Sequence, residues 1–256
     1  MSKLKYKLTN DTLFKLLFVK YQDLLKRLVA ALLGVRVENI TEFFITNSDM
    51  PPEALGEKFC RLDINMIVNG QRIDLEIQVN DENDYPERSL FYWAREYSSA
   101  LPEGENYSKL PRTIVISILA FSLFRCEDFH SEFELLEVKR FERLTDRLAM
   151  HYFELPKLSS EIDVGDELKL WLALFKADSE EELKKLEKIG GDVMVQAIKA
   201  YRHVSASNEF KELERLRSRA RHNEASALNN ARIEIFTLLR SGVSIEEAEK
   251  RFGLSK

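Results

Sequence analysis

The period at which apolar residues recur changes several times along the chain, and each change marks an element. Near the start, Leu13, Phe14, Leu17, Phe18, Leu24, Leu25, Leu28 and Leu32 return at three- and four-residue intervals. This spacing predicts one amphipathic helix, capped by Thr9 or Asn10 and ended at Gly34. Residues 40–45 read as a short strand. Residues 59–68 and 72–79 alternate with period two around Asn69-Gly70, a pair that favours a tight hairpin turn. Helical spacing resumes over 84–101, with Leu90, Trp93, Ala94 and Tyr97 on one side. Residues 113–121 form an apolar run rich in β-branched side chains, as in a strand buried on both faces. Two shorter strands are expected at 132–138 and 150–155. Beyond Pro156 the strand signals stop. Helices are expected at 164–175, 179–189, 192–221, 224–240 and 245–252, with Gly190-Gly191 and Ser241-Gly242 as breaks. The predicted organisation is an α/β domain over residues 1–156, a mixed sheet flanked by helices, followed by a mainly helical region over 157–256.

The hairpin carries the polar residues of interest. If Asn69-Gly70 is a two-residue turn, Val68 faces Gln71, Asn65 faces Asp74 and Asp63 faces Glu76. Alternation then separates two faces. Leu62, Ile64, Met66 and Val68 join Ile73, Leu75, Ile77 and Val79 on a core face, and Asp63 and Asn65 join Asp74, Glu76 and Gln78 on a polar one. Directly opposed residues have Cβ atoms about 4.5–5.5 Å apart, and opposed carboxylates repel. Two readings fit the pattern. The polar face is the solvated side of an antiparallel hairpin, or it is a site where a hard divalent cation such as Mg²⁺ draws the carboxylates together. The register rests on the turn length, since a bulge would flip one strand's faces.

Composition narrows the setting. The chain has 256 residues, 45% hydrophobic and 32% charged, enough for one sizeable core and a helical appendage. No apolar run approaches the roughly 18 residues of a membrane span. Residues 1–7 are basic and lead into an amphipathic helix instead of a signal-peptide core, so cytoplasmic residence is expected. Cys60 and Cys126 form no CxxC pair, and the four histidines form no HExxH segment, which argues against zinc and a structural disulfide. A net charge of −5 argues against coating nucleic acid by charge alone. It leaves room for a nuclease, which gathers acidic ligands at one point.

The order of these features resembles a known class. A helix, a hairpin with Asp63 on one strand and Glu76-Ile77-Gln78 on the next, a second helix and a buried strand is the layout of PD-(D/E)XK nucleases, with their restriction-endonuclease-like core. The chain more closely resembles the Rpn family of recombination-promoting nucleases and transposases. The likeness runs through Asn10-Asp11-Thr12-Leu13-Phe14-Lys15-Leu16-Leu17-Phe18, Asp63, Glu76-Ile77-Gln78, Arg88, Tyr92, Tyr97, Tyr107, the strand at 114–121, Glu154-Leu155-Pro156-Lys157 and the helix of Trp171.

The resemblance implies a DNA endonuclease, linked to recombination or DNA mobility. Asp63 and Glu76 would hold Mg²⁺, with Mn²⁺ able to substitute, and Gln78 would orient water or phosphate. The wider class has Lys at the position of Gln78; a neutral amide brings no positive charge and cannot act as a base. Leu62 replaces the Pro of the class motif, which supplies no ligand. Five residues are accessory candidates. Asp11 reads as an acid suited to the helix N-terminus or as a residue reaching the site. Lys15 reads as a surface charge or a phosphate contact. Asp74 lies beside Glu76 on the polar face. Arg88 and Tyr92, four apart, face either the site or solvent.

Two other readings stand beside the nuclease. One is a nuclease-fold protein that binds DNA or a partner without efficient cleavage. The other is an assembly module whose helical tail makes a homodimer. The basic stretch Lys211, Arg215, Arg217, Arg219, Arg221 and His222 reads chiefly as a solvated helix with internal charge pairs, and secondarily as a DNA-backbone contact. Residues 244–254 look like the first half of a helix-turn-helix.

Overall fold

The segment Thr113-Ile114-Val115-Ile116-Ser117-Ile118-Leu119 is buried at every position because it lies between two parallel neighbours in the sheet. The computed structural model describes residues 2–46, 64–159, 161–245, 247 and 250. Its six-stranded mixed sheet runs in the order β1 (Phe43–Ile45), β2 (Ile64–Val68), β3 (Gln71–Gln78), β4 (Thr113–Leu119), β6 (Leu148–Glu154) and β5 (His130–Phe133). Strands β1, β2 and β3 are successively antiparallel, β3, β4 and β6 are parallel, and β5 returns antiparallel at the edge. The parallel step from β3 to β4 is bridged by α3 (Tyr85–Ser99).

The hairpin turn has the backbone its sequence demands. Asn69 and Gly70 both adopt positive φ, 48° and 74°, as a two-residue primed turn requires. The Asn69 carboxamide also accepts from the backbone N–H groups of Thr41 and Glu42 and donates to Asn39 O. It thereby clips the turn to the segment that leads into β1. The part of the predicted strand before Ile64 lies outside the described residues.

Helices α1 (Asp11–Lys20), α2 (Gln22–Leu32), α4 (Glu167–Lys176), α5 (Glu180–Ile189) and α6 (Gly191–Ala206) complete this unit. Phe14 and Phe18 of α1 meet Trp171 and Phe175 of α4 with ring centroids 6.1–6.2 Å apart, forming a buried aromatic cluster. The single helix expected over 10–33 is two helices. Tyr21 leaves helical geometry (φ −115°, ψ 68°), its N–H closing α1 on Leu17 O and its carbonyl opening α2 toward Leu24 and Leu25. The apolar stripe continues across this corner, so periodicity alone does not register it. The N-cap is Asn10, which accepts from Leu13 N–H at 2.9 Å.

The break expected near residue 222 occurs instead at Ser207. Its hydroxyl accepts from Phe210 N–H and donates to Val204 O, capping α7 (Asn208–Arg240), which continues through residue 222. The strand expected at 132–138 is also shorter and earlier, as β5. Among the described residues, those up to Phe210 form one compact unit and those from Lys211 onward a second. In the second unit, Arg215 pairs with Glu212 and Arg221 with Glu214, the internal charge pairs expected of a solvated helix. The helix predicted at 245–252 falls largely outside the described residues. No described helix is long and apolar enough to cross a membrane.

Candidate active site

The β2–β3 register matches a two-residue turn: Val68 pairs with Gln71, Ile67 with Arg72, Asn65 with Asp74 and Ile64 with Leu75. Asp63 lies outside the described residues. The two faces separate as alternation requires. Ile64, Met66, Val68, Ile73 and Leu75 are buried on one side, and Asn65, Asp74, Glu76 and Gln78 belong to the other.

That second face is not an open solvated surface. Helix α3 covers it, and polar contacts join the two. The Tyr85 hydroxyl lies 3.0 Å from Glu76 Oε2 and 2.9 Å from Ser117 Oγ on β4. A carboxylate can only accept, so Tyr85 donates to Glu76 and Ser117 supplies the proton of the second bond. Glu76 and Ser117 are register partners across β3 and β4, so one hydroxyl spans both strands. Burial and then the negative charge of Glu76 raise the Tyr85 hydroxyl well above the usual phenol range, and it stays a neutral donor. Nearer the turn, Asn65 Nδ2 donates to Glu96 Oε1, and Arg72 Nη1 reaches the Glu96 carboxylate at 3.4 Å and Ser99 Oγ at 3.1 Å. Asp74 is 3% exposed.

The helix face turned to the sheet therefore differs from the expected apolar one. It carries Tyr85, Ser89, Trp93 and Glu96, spaced by four, four and three residues. Ser89 Oγ donates to Pro86 O and meets the Tyr152 hydroxyl at 2.7 Å, and Trp93 Nε1 donates to Thr113 O at 3.0 Å. Leu90 and Ala94, grouped from the sequence on one side with Trp93 and Tyr97, are exposed. An amphipathic helix normally turns apolar residues inward. Here the opposing sheet face is polar, so hydroxyl and indole donors take that place. Sequence reasoning overlooked Tyr85, Ser89, Glu96 and Ser117. The usable signal was the match between a polar strand face and the hydrogen-bonding residues at period four in the following helix.

The remaining candidates are placed as follows. Gln78 Nε2 donates to Asn80 O at 2.9 Å, a local contact at the exposed strand end. Arg88 pairs with Glu82 through Nη1, and its guanidinium lies 5.2 Å from the Tyr85 ring centroid. Its Nε and Nη2 are buried and have no hydrogen-bond partner among the described residues. Tyr92 is half-buried on the same helix, its ring against Phe91. Asp11 is half-buried at the start of α1, where its Oδ1 accepts from Thr12 N–H. Lys15 corrects the surface reading, being 3% exposed. It stands one turn after Asp11, and a buried ammonium must be paired to persist.

The Glu154-Leu155-Pro156-Lys157 motif has a structural role. Glu154 is buried, accepts from Leu123 N–H at 2.5 Å and Phe124 N–H at 3.1 Å, and pairs with Lys157 Nζ at 2.6 Å. Lys157 also donates to Phe124 O. The pair fastens the loop after β4 beside the Tyr85–Tyr152 cluster.

A mixed sheet with a central parallel step, an acidic residue on the second hairpin strand and a bridging helix over it define an α/β protein of the PD-(D/E)XK nuclease class. More narrowly, the chain belongs to the PD-(D/E)XK nuclease family transposases, whose family model matches residues 8–231. No curated protein and no solved structure matches it. The family supports a nuclease- or transposase-like function and implies DNA as substrate.

Proposed function

We propose that this protein is a divalent-metal-dependent DNA endonuclease whose centre is the α3-covered face of the β2–β3 hairpin. The observation that carries the reading is the half-buried Glu76 carboxylate held by Tyr85 across to Ser117. An acidic side chain on a strand face that a helix covers, oriented by a neutral donor, is suited to a ligand role. Glu76 together with Asp63 would hold Mg²⁺ or Mn²⁺, and Asp74 would support them. The donor set fits a hard cation, since every candidate ligand offers oxygen. The bound cation would polarise a phosphate oxygen and lower the pKa of a water.

The chain's own residues would do the rest. Tyr85 keeps one Glu76 oxygen fixed. Gln78 would position water or phosphate through its amide. Arg88 would supply the positive charge that Gln78 lacks, because its buried Nε and Nη2 stand next to the Tyr85 ring. Asp11, Lys15 and Tyr92 would be accessory. A role in recombination or DNA mobility would follow from cutting DNA.

The purified protein is expected to nick or cut duplex DNA with Mg²⁺ or Mn²⁺, to be inert in EDTA, and to lose activity in Asp63→Asn and Glu76→Gln. Activity that persists in chelator or in both variants would overturn this assignment. One observation favours a second reading: Gln78 bonds to backbone at the exposed strand end and contributes no charge. Retained DNA binding with no cleavage of any substrate would select that reading, a binding module on a nuclease fold.

A further inference from the structure

The corner between α1 and α2 opens, together with one face of α6, onto a cavity of about 700 Å³. It shares no residue with the Glu76 face. Four basic side chains line it: Lys20 at the end of α1, Arg27 on α2, and Lys199 and His203 on α6. Lys199, Ala200 and His203 lie at positions i, i+1 and i+4, so they occupy one helix face, and the small Ala200 leaves space between its longer neighbours. Among the described residues, the single acid lining the cavity is Asp23.

None of the four basic groups makes a hydrogen bond or ion pair with another described residue. The contrast with Arg202 is direct. It precedes His203 on the same helix and pairs with both Glu180, at 3.1 Å, and Glu187, at 2.6 Å. Where α6 turns toward α5, its cation is neutralised. Where it turns toward the α1–α2 corner, the cations are left together. Like charges gathered around one concavity repel, and an anion relieves that cost. Lys20, Arg27 and Lys199 exceed Asp23 by two positive charges, which matches a phosphomonoester dianion. The start of α2 adds to this. Gln22 and Asp23 line the cavity, and Tyr21, in the N-cap position, provides no side-chain cap, so the N–H groups of Gln22 and Asp23, which precede the first one bonded to Tyr21 O, face an anion without a helical partner.

We infer that this cavity binds a terminal phosphate group, a phosphomonoester, at a site separate from the proposed metal centre. Its volume falls in the range of small-molecule sites, so the phosphate can belong to a free mononucleotide or to the 5′ end of a DNA strand. Calorimetric titration of the full chain with AMP, adenosine, and 5′-phosphorylated and 5′-hydroxyl single-stranded oligonucleotides, in EDTA, tests the site and separates its sources. At least one phosphorylated ligand should bind at least tenfold more tightly than its phosphate-free counterpart. AMP alone would identify a nucleotide site and the oligonucleotide alone a DNA-end site. Arg27→Gln and Lys199→Gln should each weaken that binding roughly ten- to a hundredfold, as loss of a charge-assisted hydrogen bond does. Both replace solvent-accessible groups, and an unchanged Tm would show that the fold is intact. Glu76→Gln should bind as the wild type does, so the result stands apart from the nuclease reading. No preference for the phosphorylated partner of either pair, or unchanged affinity in both Arg27→Gln and Lys199→Gln, would overturn the assignment.

Discussion

At the residue scale, one phenol connects three elements. Tyr85 is fully buried, begins α3, and reaches Glu76 on β3 and Ser117 on β4. Tyr85→Phe keeps the ring and its packing against Phe121 and Tyr152 but removes the donor. Ser117, which is 0% exposed, then loses its partner, and Glu76 loses the contact that orients it. Since an unsatisfied buried polar group costs about 1–3 kcal/mol, chemical denaturation should show a loss of that size. If Glu76 is a metal ligand, cleavage should fall more than stability does, and raising Mn²⁺ should recover part of it. Wild-type stability and activity in Tyr85→Phe would contradict the role assigned to the hydroxyl. The shared face of Glu76 and Gln78 was legible because strand alternation assigns side chains to faces without any tertiary information. Tyr85 was not, because the value of its hydroxyl depends on two strands that lie on its far side.

At the scale of the element, β5 is a four-residue edge strand held to β6 by its ladder and by a stacked histidine pair. His130 lies flat on Phe153 with centroids 4.3 Å apart, and its Nε2 is 3.1 Å from His151 Nδ1. The bond needs one N–H donor and one bare nitrogen, an arrangement that double protonation abolishes. Burial is the largest influence on both rings and lowers both below the ordinary imidazole value. Glu132 opposes this for each ring, and His130 and Arg112 reinforce it at His151. The unfolded chain therefore binds more protons than the fold below about pH 6.5, so this stability is present above that pH and lost as pH falls. Between pH 7.5 and 5 the wild type should lose stability faster than the His130→Gln/His151→Gln variant, by at most about 1.4 kcal/mol per pH unit for each proton taken up. Thermal melts across this range would measure the difference, and parallel curves would remove the pair from the account. Neither the pairing nor its pH dependence could be read from two histidines 21 residues apart, because both follow from the β5–β6 register.

At the scale of the whole molecule, a metal site should appear as coupling between ion binding and stability. A ligand that binds only the fold stabilises it by mass action, about 2.7 kcal/mol at a hundredfold excess over Kd. Mg²⁺ should therefore raise the wild-type Tm and raise that of Glu76→Gln much less, in melts with and without EDTA. An equal rise in both would mean that the ion acts elsewhere. The second unit, from Lys211 onward, exposes Leu228, Ile233 and Phe236 along α7, and the sequence expectation of an assembly helix belongs to this unit. Its length was misjudged because Ser207 acts as a cap only in the geometry where it reaches Phe210 and Val204, whereas apolar spacing runs past it.

The sequence by itself determined the features set by neighbours along the chain. The Asn69-Gly70 turn follows from two residues that tolerate positive φ, the hairpin register from that turn, and the two strand faces from alternation. The buried β4 follows from an apolar run, and the family from the order of these parts. Only the tertiary structure decided which faces are covered. Alternation shows that Glu76 and Gln78 are polar and on one side, but not whether water or a helix lies over them. The answer depends on the β3–α3–β4 crossover, which sets α3 down on that face with Tyr85 inward. Likewise, Lys20, Arg27, Lys199 and His203 are unremarkable surface residues in one dimension. They become a candidate anion site because the corner at Tyr21 and the packing of α6 bring residues nearly 180 positions apart around one cavity.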